Sequence, residues 1–328
     1  MSAEQSCPPT PASAHPSPLS HPPSLIVIVG PTAAGKTALA IELAAALDGE
    51  IVSADSRQIY RGMDIGTAKA TPAERARVPH HLLDIVSPDQ ALSVAEYQRL
   101  AYAAIDDIWR RGRLPFLVGG TGQYVRAVIE GWTVPAVAPQ PELRAALEAQ
   151  AATEGAAALH GRLAGLDPVA AARIDPRNVR RVIRALEVCL ATGRPISELQ
   201  RKAPPPYRIL QIGVARPRAE LFARIDARVD RMIADGLVEE VARLAAAGYA
   251  WNLPAMSGIG YRQIGEYLRG EISLDEAVAR IKRQTRRFVH QQNTWFRPDD
   301  PQIRWIHPDR TPIAALLAEI AAWLKQTG

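Results

Sequence analysis

Leu25–Val29 is an unbroken aliphatic run that stops at Gly30. A short apolar run closed by a glycine predicts a strand buried on both faces, the habit of a parallel sheet. From Thr37 to Leu47 the pattern changes period: Leu39, Leu43 and Leu47 recur every fourth position, which predicts a helix. Ile51-Val52 predicts a second strand leading to Ser53-Ala54-Asp55, and Pro115–Val118 a third leading to Gly119-Gly120-Thr121. Val94–Arg111, between them, has helical spacing. This alternation predicts an α/β domain with a parallel sheet. After Gly131 the texture changes. Residues 141–200 are rich in Ala, Leu and Arg without β-branched runs, and read as a small all-helical insertion. Ile209–Ala215 is again a strand. The helix that follows, 217–235, gathers Leu221, Phe222, Ile225, Val229, Met232 and Ile233 on one face.

Composition adds limits. Hydrophobic residues make up 47% of the 328, ample for a core and incompatible with wholesale disorder. No apolar run approaches the ~20 residues that span a bilayer, so no membrane helix is expected. Cys7 and Cys189 cannot build a disulfide framework or a four-cysteine zinc site, as suits a reducing cytoplasm. Residues 1–24 hold seven Pro, six Ser and one charged side chain, Glu4. Such a segment cannot bury enough apolar area to offset chain entropy, and reads as a dispensable disordered tail without a targeting signal. The expected organisation is that tail, a core at 25–130, an insertion at 131–207, and a return to the core at 208–328.

Net charge is only +5, but it is clustered. Between Arg280 and Arg297 there are six Lys or Arg and no acid. On a helix of ~100° per residue, Ile281, Phe288 and Trp295 share one face, with Arg280, Lys282, Arg283, Arg286, Arg287 and His290 opposite. Arg173, Arg177, Arg180, Arg181 and Arg184 form a second cluster with Asp175 as its one acid. Solvated faces normally mix signs. Two one-sign clusters suggest a polyanion larger than a nucleotide, although a charged surface kept for solubility also accounts for either cluster alone.

The most specific motif is Gly30-Pro31-Thr32-Ala33-Ala34-Gly35-Lys36-Thr37, a G-x-x-x-x-G-K-[ST] loop between a strand and a helix. Such a loop aims backbone N–H groups at a phosphate at the positive end of a helix. Lys36 adds a point charge and Thr37 can ligate Mg²⁺. The motif specifies phosphate or pyrophosphate and does not by itself specify ATP. Asp55 and Thr121 end strands on the same predicted sheet edge, where ligands of open α/β sheets sit. Asp55 is equally the kind of residue that caps a turn. The strand at 115–118 ends in Gly-Gly-Thr rather than the Mg²⁺-binding Asp of an NTP hydrolase, which argues for another use of the cradle.

These stretches resemble the tRNA dimethylallyltransferases, also called tRNA isopentenyltransferases. The resemblance runs from about residue 25 to 306 through the loop at 30–37, Asp55–Tyr60, Asp64–Lys69, His80–Ile85, Val118–Gly122, Arg184–Val188, Gly258–Arg262 and Thr294–Arg297. It implies a P-loop three-layer fold with a helical insertion, working as a cytoplasmic monomer. It also implies transfer of a dimethylallyl group from its diphosphate to N6 of adenosine 37 in tRNAs that read codons beginning with U, with Mg²⁺. In that family pattern residues 30–37 hold the diphosphate, Asp55 is the general base, and Lys36 and Thr121 assist. Contacts to the tRNA anticodon stem-loop fall to Asp55, Ser56, Arg57, Gln58, Thr121, Arg144, Arg180, Arg181, Val182, Ile183, Arg184, Ser257, Gly258, Ile259, Gly260, Tyr261, Arg262 and Arg286. The chain departs from the pattern at His290-Gln291, where Lys-Arg is frequent, and at Ser257, where a basic residue sometimes stands. It lacks the Cys/His cluster of eukaryotic relatives and reads as the bacterial type. A small-molecule kinase, a prenyltransferase acting on AMP, and a non-catalytic nucleic-acid-binding module are the competing readings.

Overall fold

A computed structural model describes residues 23–135 and 137–326. The tail expectation for residues 1–22 lies outside them. Six strands form one sheet: β1 (Ser24–Val29), β2 (Gly49–Ser53), β3 (His80–His81), β4 (Leu114–Val118), β5 (Arg208–Val214) and β6 (Ile303–Ile306). Their order is β3-β2-β4-β1-β5-β6, and every pairing is parallel. Ser24, assigned to the tail from composition, opens β1 because it pairs in register with Arg208 of β5.

The helices along the first part of the chain are α1 (Lys36–Ala46), α2 (Pro72–Arg77), α3 (Val94–Arg110) and α4 (Gly122–Glu130). Next come α5 (Pro141–Glu154), α6 (Ala156–Leu166), α7 (Pro168–Arg173), α8 (Val179–Thr192) and α9 (Ile196–Leu199). The last are α10 (Arg218–Ala234), α11 (Leu237–Ala246), α12 (Tyr261–Leu268), α13 (Leu274–Asn293) and α14 (Ile313–Lys325). The fold is α/β with helices on both sheet faces. In β1, Ile26 and Ile28 pack with Leu39 and Leu43 of α1 and Ile225 of α10. Leu25, Val27 and Val29 face the other way, against Tyr97 and Ile105 of α3 and Val125 of α4. The period-2 alternation of a strand is what splits one aliphatic run between two cores. Each fully buried Ile, Leu or Val contributes about 1.5–3 kcal/mol. A third cluster lies wholly within α5–α9 and its flanks, built on Leu147, Leu159, Leu163, Val182 and Leu186.

Because all strands run parallel, β1, β2, β4 and β5 end at one edge. The segments after them, Gly30–Lys36, Ala54–Gln58, Gly119–Thr121 and Ala215–Arg216, therefore converge there.

Candidate active site

The phosphate loop turns through two left-handed glycines, Gly30 at φ 142° and Gly35 at φ 107°. A Cβ on Gly30 would stand 2.4 Å from the carbonyl oxygen of Val214, so the loop can press on the end of β5 only as glycine. Ala33 also takes a positive φ, 64°, a conformation L residues adopt only when held. It is held: Arg224 of α10 donates from Nε to the Ala33 carbonyl at 2.9 Å. Arg216 Nε donates to the Ala34 carbonyl at 2.9 Å and is itself fixed by Asp309 at 2.7 Å. Lys36 Nζ donates back to the Pro31 carbonyl at 2.8 Å. Burial first, and then the nearby Arg228, push its pKa down to about 8, against the opposing pull of Asp55.

Asp55 follows β2. Its Oδ1 accepts the Arg57 N–H at 2.8 Å, the turn-closing geometry that the sequence left open. Asp55 makes no ion pair among the described residues, yet its charge opposes the burial that lowers the pKa of Lys36 and of Arg228. Thr121 lies beside it: the Ser56 N–H donates to Thr121 Oγ1 at 3.0 Å, and the Thr121 N–H to the Ala54 carbonyl at 3.2 Å. The glycines around Thr121 are explained by close approach. A Cβ at Gly119 would meet the Ala54 carbonyl oxygen at 2.1 Å, and one at Gly122 would meet Trp295 at 2.1 Å. Gln58 accepts from Ser53 Oγ at 3.1 Å and donates to the carbonyls of Thr67 and Ala68, both at 3.2 Å. Arg57 Nη1 is bonded to the Pro254 carbonyl at 2.6 Å.

Arg228 is the residue that sequence reasoning missed. It sits on α10 one turn beyond Arg224, and no acid lies within ion-pair distance of it among the described residues. Burial lowers its pKa, with Asp55 opposing and Arg224 and Arg231 adding to the fall. A half-buried guanidinium with no carboxylate paired to it is suited to an anion. The i, i+4 spacing of Arg224 and Arg228 on the polar side of a recognised amphipathic helix was the available signal.

The residues expected to form the RNA surface are placed very differently from one another. Val182 and Ile183 are 0% and 4% exposed, so their side chains are core. Arg144 and Arg184 are both turned onto the buried carboxylate of Glu187, at 2.8 and 2.6 Å. Burial alone would raise the Glu187 pKa. Arg144, the Gln140 N–H and Arg184 outweigh it and hold the pKa at about 2. That stabilisation is present above the ordinary carboxylate range and is lost as pH falls towards 2. Arg180 and Arg181 stay exposed, with no acid paired to them among the described residues. Tyr261 is 1% exposed; its hydroxyl donates to Glu240 at 2.6 Å, and the same carboxylate accepts the N–H groups of Asp64, Ile65 and Gly66. Gly258 and Gly260 are also buried. Ser257, Ile259 and Arg262 do face outward, lining a shallow groove with Gln284, Arg287, Phe288 and Gln291 of α13.

The one-sign cluster of α13 is neutralised partly by its own first turn, where Glu276 pairs with Arg280 at 2.8 Å and Arg283 at 3.3 Å, and partly from other helices. Lys282 pairs with Asp230 at 2.6 Å, Arg280 with Glu266 at 3.1 Å, and Arg286 with Asp226. Arg287 remains exposed and unpaired among the described residues. The apolar face also differs from expectation: Ala277, Ile281, Val289 and Gln292 are buried, while Phe288 is 37% exposed and Trp295 lies beyond the helix end.

The IPP transferase family model matches residues 58–299, and the isopentenyl transferase model matches residues 23–92. A tRNA dimethylallyltransferase of Roseiflexus sp. (strain RS-1) is 64% identical over 273 residues, 83% of this chain and 90% of that one. Another, from Dehalococcoides mccartyi, is 51% identical over 304 residues, 93% and 94% of the two chains. Among solved structures, the full-length tRNA isopentenylpyrophosphate transferase of Bacillus halodurans aligns with a TM-score of 0.69 at 43% identity, covering 93% of this chain and 97% of that one. A eukaryotic dimethylallyltransferase acting on tRNA gives a TM-score of 0.80 at 25% identity, covering 93% and 80%. With its phosphate loop, its Asp55 edge and a family match over most of its length, the chain belongs to the IPP transferase family.

Proposed function

We infer that the protein transfers the dimethylallyl group of dimethylallyl diphosphate to N6 of the adenosine beside the anticodon, position 37, in tRNAs that read codons beginning with U. One observation carries this reading. Asp55, a carboxylate with one oxygen fixed by a backbone N–H and no ion pair among the described residues, ends β2 on the same sheet edge as the phosphate loop with its Lys36 and as Thr121. An adenine amine is a poor nucleophile because its lone pair is delocalised into the ring. Asp55 takes its proton as the C–N bond forms. The diphosphate leaves the allylic carbon with growing negative charge, which Lys36, Arg228 and the loop N–H groups stabilise. The target base must leave its stack to reach them, and the tRNA substrate places the reaction in the cytoplasm.

Mg²⁺ fits the donors present. No group of three His, Cys, Asp or Glu among the described residues could hold an ion alone. Mg²⁺ is commonly held by one or two protein oxygens together with substrate phosphates, and the Thr37 hydroxyl at the start of α1 supplies such an oxygen. When bound, the ion neutralises charge on the departing diphosphate.

The test is mass spectrometry of nucleosides after incubation with dimethylallyl diphosphate and either tRNA or AMP. The expected product is N6-(dimethylallyl)adenosine from tRNA, and mass spectrometry of nuclease fragments of the same tRNA should map it to position 37 alone. Prenylation of AMP with none of tRNA would overturn the reading.

The RNA surface makes a separate prediction. Changing Arg180 and Arg181 together to Gln should make the log–log salt dependence of stem-loop affinity shallower by about 1–2, with melting temperature unchanged. Arg144→Ala should do the reverse. It takes one of several partners from buried Glu187, which costs about 1–2 kcal/mol of stability after allowing for the partial exposure of Arg144, and leaves the salt slope alone. Titration of stem-loop binding against salt, run beside thermal unfolding, checks both. An unaltered slope in the double variant would assign that pair to the solvated surface.

A further inference from the structure

Gln292 ends the buried stripe of α13 and is 3% exposed. Its amide spans two loops far apart in sequence. The Thr32 N–H donates to Oε1 at 2.8 Å, and Nε2 donates to the Gly120 carbonyl at 3.0 Å. No other side chain among the described residues bonds to both loops. Gly120 has to be glycine for this: a Cβ there would stand 2.4 Å from Gln292 Nε2. Phe288 and Gln291, on the same stretch of helix, line the groove with Ser257, Ile259 and Arg262.

The two bonds have different effects. The first withdraws the Thr32 N–H from the set that a phosphate loop would offer an anion. The second ties the loop to the Gly119–Thr121 turn, which carries the Thr121 hydroxyl bonded to Ser56 beside Asp55. We propose that Gln292 is a positioning residue that fixes the separation and alignment of the diphosphate loop and the Asp55–Thr121 edge. The allylic carbon is thereby held in line with the adenine amine. This rests on the transferase reading above.

Gln292→Met keeps the volume and removes both bonds. The freed Thr32 N–H can then turn to the phosphate, so the diphosphate stays bound but off line. A misplacement of ~1 Å can cost about 10²-fold in rate. Single-turnover transfer to a stem-loop should fall about 10–100-fold. Affinity for inorganic diphosphate should be equal to wild type or up to about tenfold tighter, and stem-loop affinity should stay within about twofold. An amide that only supported the fold would instead lose diphosphate affinity and rate together, and that parallel loss would overturn the proposal. So would a rate within about threefold of wild type. Should Gln292→Met be too unstable to assay, Gln292→Asn leaves the amide a methylene short of its partners and is judged by the same divergence between rate and diphosphate affinity. Wild type measured alongside separates this from failure of the transferase reading, in which wild type too would transfer nothing.

Discussion

Replacing Asp55 by Asn is expected to slow the chemical step by about 10²–10⁴-fold, or roughly 3–5 kcal/mol of barrier, with the fold and the affinity for tRNA preserved. The structure makes this substitution clean. The bond that Asp55 makes within the protein is acceptance of the Arg57 N–H by Oδ1, and an Asn side-chain oxygen accepts it equally well. What Asn cannot do is take a proton. Its one oxygen is already bonded to the Arg57 N–H and its NH2 cannot accept from the adenine amine, so the bound base loses at most one hydrogen bond. Affinity for tRNA comes largely from phosphate contacts made elsewhere. If Asp55 served only to close the turn, rate and stability would both survive. Single-turnover transfer, stem-loop affinity and melting temperature measured together decide between the two roles. A rate within about threefold of wild type would lie far below the general-base expectation and reject it.

Lys36→Ala is expected to cost a few kcal/mol of transition-state stabilisation, about 10²–10³-fold in turnover, with tRNA binding almost intact. Lys36 lies in the phosphate loop, held by the Pro31 carbonyl, and the exposed arginines of α8 are remote from it in the chain. The pH dependence gives an independent check. Burial, with Arg228, has lowered the Lys36 pKa to about 8 in the free protein. A bound diphosphate favours the charged ammonium and raises that pKa. Binding above pH ~8 therefore requires uptake of a proton, and affinity for dimethylallyl diphosphate should fall by up to about tenfold per pH unit there. Below pH ~8 the lysine is already charged and this dependence vanishes. The Lys36→Ala variant should lack the limb. An identical pH profile of substrate affinity in both proteins, or near wild-type turnover in the variant, would place the diphosphate elsewhere.

The two arginine surfaces expected to meet RNA differ in which charges are free. On α8 the exposed pair Arg180 and Arg181 is available to phosphates, while Arg144 and Arg184 secure the buried Glu187. On α13 the acids of α10 and α12 have already neutralised Lys282, Arg286 and Arg280. The outward surface there is a groove of Arg262, Arg287, Gln284 and Gln291 around an exposed Phe288. Such a surface suits a base stacked on an aromatic ring with cations beside it better than a long run of backbone phosphates.

Features whose physics is local are legible in the order of residues. A strand buried on both faces needs a continuous aliphatic run, and Leu25–Val29 is one. A phosphate loop needs glycine where the chain turns left-handed, and Gly30 and Gly35 stand there. The helix after the loop and the resumption of the sheet near residue 208 are written in hydrophobic spacing, so β1, α1, β5 and the Asp55 edge could be read before any coordinates. Tertiary structure alone decided which charges are free and which side chains face outward. Glu276 at helical spacing was legible as a partner of Arg280, but a one-sign cluster along the chain says nothing of the carboxylates another helix brings to it, and Asp226 and Asp230 of α10 lie far from α13 in sequence. Tyr261 sits in a stretch whose neighbours line a groove, yet Glu240 draws its hydroxyl inward. Arg228 comes near Lys36 and Asp55 only because α10 packs against the phosphate loop, where Arg224 holds the Ala33 carbonyl. Gln292 resembles any polar residue near a helix end until folding sets it between Thr32 and Gly120. Backbone conformation follows from a few adjacent residues, whereas electrostatic pairing and burial depend on partners that only the packed chain supplies.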